Sequence, residues 1–352
     1  MKIVWVGPIY SASSVLGMCK VNALRELGHD VLIFDDRRYY QFPFRVLPRV
    51  VATRIVDRLP GLLQRDHRAM NQALLWLIQH TRPELVIVDK GLSISVQTLQ
   101  AIGALGAMTV NWFPDDLQRL DWIKRLAPYY TYFVSFDPYT IAVLREAGFD
   151  NVRYLPFGCD PAVHRTMTLT PDEQRRYACE VCFIGACYPE REAALSALTE
   201  FDLKIWGYKD WAQTDLAPFY QGYIGNGEPM AKVYNACQIA VNIHYHSVAH
   251  GVNYRTFEIP GCGAFQIVDG RPDVDGLFTI GQEVVTYRFG DVAELREKVR
   301  YYLEHPEARA VIARQGQERA YRDHTLRRRM EDLLQIVQAD GSVEGGSCAE
   351  AI

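Results

Sequence analysis

No apolar run in this sequence approaches the ~18 residues that a helix needs to cross a bilayer, so no integral membrane segment is expected. The opening MKIVWVGPIY breaks into Gly7-Pro8 after a handful of apolar residues. That is too short for a secretory leader and reads instead as a first strand. Cysteine is thinly spread: eight residues sit in strand-like and loop-like segments, without the density of a secreted disulfide scaffold. Reduced thiols in a cytoplasmic protein are the expectation. The net charge of −4 shows no basic excess, which argues against nucleic acid as a partner. The dinucleotide fingerprint GxGxxG is missing as well. The first loop reads Gly7-Pro8-Ile9-Tyr10-Ser11, and Pro8 removes a backbone donor, which argues against an NAD-dependent enzyme.

What is present is a long alternation of apolar runs and helical patterns. At 352 residues, about two domains are expected. In the first half, strands are predicted at Ile3–Val6, Val31–Phe34, Leu85–Val88, Thr109–Phe113 and Tyr132–Phe136. Each is short, rich in β-branched or aromatic residues, and apolar on both faces, as a parallel sheet between helical layers requires. Helices are predicted between them, about Val15–Leu27, Arg65–His80, Ser95–Leu105 and Tyr139–Ala147. A second series follows Pro156-Phe157-Gly158, with strands at Val181–Ile184, Leu203–Trp206, Ile239–Ile243, Phe265–Val268 and Val284–Tyr287. The fold class is therefore α/β, with two Rossmann-like doubly wound domains facing a central cleft. The expected division is 1–157, 158–325, a C-terminal helix 326–339 and a Gly/Ser-rich disordered tail 340–352. The polar stretch His164–Arg176 reads as an irregular connection. Pro306 opens a helix expected to stop before Gly316, and the triplet Arg327-Arg328-Arg329 reads as a solvated helix face.

The densest chemistry lies in Asn253–Tyr287. Glu258 precedes the small residues Gly261, Gly263 and Ala264, and the apolar run Phe265–Val268 follows. A carboxylate on a helix that feeds a buried parallel strand belongs at the sheet's carboxyl edge, where α/β proteins bind ligands. Arg255 and Asn253 could meet a diphosphate or sugar; alternatively Arg255 and Glu258, three apart, pair on a helix surface for only ~0.2–0.5 kcal/mol. Upstream, VCFIGACYPERE ends a strand at Gly185 and brings Arg191 to the start of a helix, a place suited to phosphate. His244, His246 and His250 lack a carboxylate at ligand spacing, and Cys179, Cys182 and Cys187 lack a second pair, so no metal is assigned to either group. His244 and His250 are placed instead as lining the cleft, with Gly261 and Gly263. In the first domain, Asp115 and Asp116 follow a strand and are either a general base or a helix cap. Lys90, in Asp89-Lys90-Gly91, and Tyr10 are assigned to the first domain's side of the cleft, where Lys90 offers positive charge.

These residues resemble the CgeB-type (spore-maturation protein-like) group of glycosyltransferases, whose C-terminal domain is of the group 1 or family-4 kind. The resemblance rests on VCFIGACYPERE, VNYRTFEIPGCGAFQIVD, LFTIGQEVVTY, LREKVRYYLEHPEARAVIARQGQERAYRDHT and RRRMEDLL, and more loosely on VIVDKG, NWFPDD and YLPFGCDPAVH. It implies a GT-B fold and a nucleotide-activated sugar, UDP- or GDP-linked, used as co-substrate without a cofactor or bound metal. It also implies transfer to an acceptor hydroxyl of a glycan, small molecule or protein. Glu258 matches a ribose-binding glutamate of family-4 enzymes, and its replacement by alanine is expected to weaken nucleotide binding while leaving the fold intact. The earlier glutamate of those enzymes is His250 here. A sugar-nucleotide epimerase and a catalytically inactive nucleotide-sugar-binding protein are the alternatives.

Overall fold

The computed structural model describes residues 1–9, 15–36, 67–115 and 117–339. Tyr10, Asp116 and the tail 340–352 lie outside the described residues. The chain divides into two compact units. The first comprises Met1–Phe136, Thr140–Leu155 and the stretch from Met330, and the second comprises Asp137–Tyr139 with Pro156–Arg329.

The first unit holds a parallel sheet of β1 (Lys2–Val6), β2 (Asp30–Phe34), β3 (Leu85–Asp89), β4 (Met108–Phe113), β5 (Tyr132–Ser135) and β6 (Val152–Tyr154), ordered β2-β1-β3-β4-β5-β6. The second has β7 (Cys179–Ile184), β8 (Leu203–Trp206), β9 (Cys237–Asn242), β10 (Gln266–Asp269) and β11 (Val285–Tyr287), ordered β11-β10-β9-β7-β8. All pairings within the two sheets are parallel. Helices separate most successive strands, so both units are Rossmann-like and doubly wound. β7 shows why the pattern is apolar throughout. Val181 and Phe183 join one buried cluster, while Cys182 and Ile184 join another. Alternate side chains of the strand thus enter different cores, as the two-residue period of a strand dictates.

Strand order reverses between β1 and β3 in the first sheet and between β7 and β9 in the second. At such switch points adjacent connections leave in opposite directions, opening a crevice beyond the carboxyl ends.

The structure corrects several local expectations. The stretch read as irregular contains a helix, Pro171–Tyr177, held by a capping box between Thr170 and Glu173 with Pro171 in the first turn. β6 was not anticipated, because three residues give too short an apolar pattern to see. Gly316 does not end its helix, which runs Pro306–Asp323. A side chain at Gly316 would meet the Glu283 carbonyl at 2.4 Å, so glycine is there for close packing. The arginine triplet is not uniformly solvated either. Arg329 is 5% exposed and its Nε donates to the Phe157 carbonyl at 2.9 Å. In the final helix, Leu326–Ala339, the expected stripe of Leu326, Met330, Leu333, Leu334 and Val337 is buried.

Candidate functional site at the carboxyl edge of the second sheet

The switch point of the second sheet is crossed by Arg191. The helix Pro189–Ser196 follows β7 after a short loop and brings the guanidinium back over the strand ends. Its Nε donates to the carbonyl of Ile243, just beyond β9, at 2.9 Å, and its Nη1 to that of Ala186, just beyond β7, at 3.1 Å. The guanidinium also lies over the rings of Phe183 and Tyr188, 5.5 and 4.9 Å from their centroids. Burial makes its proton less tightly held than that of an ordinary arginine, against the opposing pull of Tyr188, Glu190 and Asp269. Both anchors are backbone carbonyls, so the cation is fixed in place, and among the described residues no carboxylate pairs with it directly.

Arg255 opens the short helix Arg255–Gly261. Its Nη1 pairs closely with Glu258, its Nη2 donates to Asn226 at 3.1 Å, and its Nε lies 3.5 Å from the Ile184 carbonyl. The pair expected on a helix surface is therefore buried: Glu258 is fully enclosed, and Arg255 retains 21% of its side-chain exposure. Burial opposes the arginine's charge, but the Glu258 carboxylate outweighs it and holds the guanidinium more strongly protonated than usual. The other Glu258 oxygen, Oε1, makes no hydrogen bond among the described residues and lies 3.6 Å from Nε2 of the buried His164. Burial drives His164 toward its neutral form, against the attraction of Glu258. Gly261 permits this approach, since a side chain there would meet Cys159 and His164 at 3.1 Å. Gly263 adopts the left-handed backbone (φ 71°) that turns the chain out of the helix toward β10.

The remaining predicted residues are occupied as follows. Asn253, one residue before the helix's N-cap Tyr254, exchanges hydrogen bonds with Asn242 and accepts from the Thr256 amide at 3.2 Å. His244 is fully buried, and its amide and Nδ1 both meet Asp269 Oδ1 at 2.7 Å. Burial works against the Asp269 charge, but His244 and then Arg271 prevail and hold its carboxyl below the usual range. His250 is exposed; its ring tilts against Tyr139, and its amide donates to Asp137 at 3.2 Å. The space a side chain would fill at Gly185 is taken by the Phe183 ring, 2.8 Å away.

At the carboxyl edge of the first sheet, Lys90 and Asp115 come together. Lys90 Nζ lies 2.8 Å from Asp115 Oδ2, and Arg119 Nε approaches the same oxygen at 2.9 Å. Asp115 is thus held between two cations. Sequence reasoning missed three further groups. The fully buried Asp137 accepts from the amides of His250 and Gly251. Asp269 and Arg271 pair at 2.8 Å. Lys20 and Asp89 pair at 3.2 Å, with Lys20 Nζ 4.3 Å from the centroid of Trp112. Asp269-Gly270-Arg271 carried a readable signal, a carboxylate ending a strand. Lys20 did not, because a lysine within a helix pattern is ordinarily at the surface.

Among the described residues, no group of three or more His, Cys, Asp or Glu is arranged to hold a metal ion, and no helix is long and apolar enough to cross a membrane.

Residues 191–335, which carry most of this edge, match the family model described as glycosyl transferase-like. The sequence is 25% identical to spore protein CgeB of Bacillus subtilis (strain 168), over 67% of this chain and 83% of that protein. Among solved structures, sucrose-phosphate synthase of Thermosynechococcus elongatus superposes with a TM-score of 0.72 at 12% identity, covering 97% of this chain and 100% of that one. Anabaena Alr3699/HepE, solved in complex with UDP-glucose, gives a TM-score of 0.62 at 13% identity, with coverages of 97% and 100%. The chain has the GT-B fold, with a glycosyl transferase-like C-terminal region.

Proposed function

We propose that this protein is a glycosyltransferase of the CgeB-type group, moving a sugar from a UDP- or GDP-linked donor to an acceptor hydroxyl without a metal. The observation that carries the reading is Arg191, held by carbonyls on both flanks of the β7/β9 switch point. A fixed cation there suits the diphosphate of a nucleotide sugar. Charge grows on that diphosphate as the glycosidic bond breaks, and a donor already in place stabilises it without reorganisation. Arg255 adds positive potential beside it, and Glu258, enclosed against Arg255, aims that guanidinium. The ribose grip suggested for Glu258 by resemblance becomes, in this reading, a positioning role. Lys90 and Asp115 belong to the acceptor side, with Tyr10 and Asp116 assigned there from the sequence alone. The likeness to CgeB and to a protein solved with UDP-glucose supports the donor class.

The test is a panel of nucleotide sugars assayed with and without candidate acceptor alcohols. Turnover that requires an acceptor is the expected result. Release of an isomerised nucleotide sugar without an acceptor would make the protein an epimerase, and tight binding without turnover would make it a binding protein. Arg191→Ala should weaken UDP binding at least tenfold, about 1.4 kcal/mol. Unchanged affinity would remove Arg191 from the donor site.

A further inference from the structure

Among the exposed aromatic side chains of the second unit are Tyr208 and Tyr223, at 45% and 54%. Their rings stack on each other, with centroids 5.7 Å apart and planes 28° apart. That separation is contact distance for an aromatic pair, so no third ring fits between them and the pair offers an outer face.

Both residues stand at the carboxyl edge of the second sheet. Tyr208 follows β8 by two residues. The Gly207 amide donates to the Gly222 carbonyl at 3.1 Å, and the Tyr220 hydroxyl donates to the Gly207 carbonyl at 3.1 Å, which ties the two tyrosine loops together. Gly207 also lies so near the β7 loop that a side chain on it would meet the Gly185 carbonyl at 2.0 Å. Three residues after Tyr223, Asn226 accepts from Arg255 Nη2 at 3.1 Å. One loop therefore carries an exposed ring at one end and the partner of a buried arginine at the other. Three residues of extended chain span at most about 11 Å.

We infer that Tyr223, buttressed by Tyr208, is the platform on which the nucleobase of the donor stacks, an inference that rests on the nucleotide-sugar reading above. A phenol ring presents a π-face and no base-specific hydrogen-bond pattern, so the platform adds affinity to uracil and guanine alike. Base identity is then read elsewhere in the site.

The test is calorimetric titration of the full chain with UDP, GDP and inorganic pyrophosphate. Wild-type protein should bind both nucleotides more tightly than pyrophosphate. Tyr223→Ala should weaken UDP and GDP by about tenfold or more and leave pyrophosphate unchanged. Tyr208→Ala should show a smaller loss in the same direction, and Tyr223→Phe, which keeps the π-face, should stay close to wild type. Tyr223→Leu, which retains apolar bulk, serves as the second variant if alanine unfolds the loop, and it too should lose nucleotide affinity selectively. Unchanged UDP and GDP binding in these variants, or equal loss of nucleotide and pyrophosphate, would overturn the platform while leaving the donor reading standing. Wild-type protein that binds neither nucleotide would overturn both.

Discussion

The carboxyl edges of the two sheets handle charge in different ways. In the first unit the Lys20–Asp89 pair is enclosed, but Asp115 is shared by Lys90 and Arg119, and those three side chains retain between 28% and 39% of their exposure. In the second, Glu258, His244 and Asp269 are fully enclosed, and Arg191 is pinned to backbone carbonyls. Exposed pairs sit in high dielectric and cost little to rearrange, whereas enclosed ones are strong, exacting and slow to change partners. The charged groups of the second edge are therefore fixed in advance, whereas the Lys90–Asp115–Arg119 group of the first can rearrange at little cost.

Four measurements break or sharpen this contrast, each by chemical denaturation unless stated. Glu258→Ala leaves the Arg255 charge with a missing partner in an enclosed site, so a loss of about 3–5 kcal/mol is expected. This replaces the expectation from the sequence that the fold would be indifferent to that substitution; a loss under ~1 kcal/mol would put the pair in the same class as Asp115.

Acid should come next. Burial and the nearby Arg329 push His324 down from 6.5 to about 4. Its Nδ1 accepts from Arg329 at 2.7 Å, while Nε2 donates to the Leu277 carbonyl at 2.7 Å, an arrangement that needs the neutral ring. The folded-state value lies below the unfolded one, so the contribution is full above pH 6.5 and is lost as pH falls toward 4. The loss amounts to at most about 3 kcal/mol. His324→Gln should flatten that part of a stability profile taken between pH 7 and 4, and an unaltered slope would assign the acid sensitivity to other groups.

Gly207→Ala forces a methyl onto the Gly185 carbonyl and should cost about 1–3 kcal/mol, because both partners are backbone. A neutral result would show that the loops of the second edge yield more readily than their contacts imply. Asp115→Asn, at the adaptable edge, should change stability by no more than about 1 kcal/mol. A larger loss would erase the contrast between the two edges.

The parallel strands were legible because each is buried on both faces, and a run such as LVIVD or VCFI has few other uses. The same logic fails for the three residues of β6, where the run is too short to carry a pattern. The helix Pro171–Tyr177 was legible in principle, since Thr170-Pro171-Asp172-Glu173 spells a capping box, but its polar composition reads as a connection. At the site, the spacing of Arg255 and Glu258 correctly suggests that they pair. It says nothing of enclosure, which arises when Gly261 lets His164 and Cys159 close over the carboxylate. His244 shows the same limit. Its place after a strand pointed to the sheet edge, but its hydrogen-bond partner, Asp269, lies on a neighbouring strand that alternation alone cannot align.

The sequence by itself determined the α/β class, nearly every strand and the amphipathic stripe of the last helix. These follow from local periodicity, which burial on one or two faces imposes residue by residue. The tertiary structure alone decided which groups distant in the sequence became neighbours. Arg191 reaches Ile243, Arg255 reaches Asn226, and Tyr208 meets Tyr223 only because strand order and loop packing bring distant segments together. Those contacts depend on backbones that pass close together, as at Gly207, where an added side chain would meet the Gly185 carbonyl at 2.0 Å, and no one-dimensional pattern carries that information.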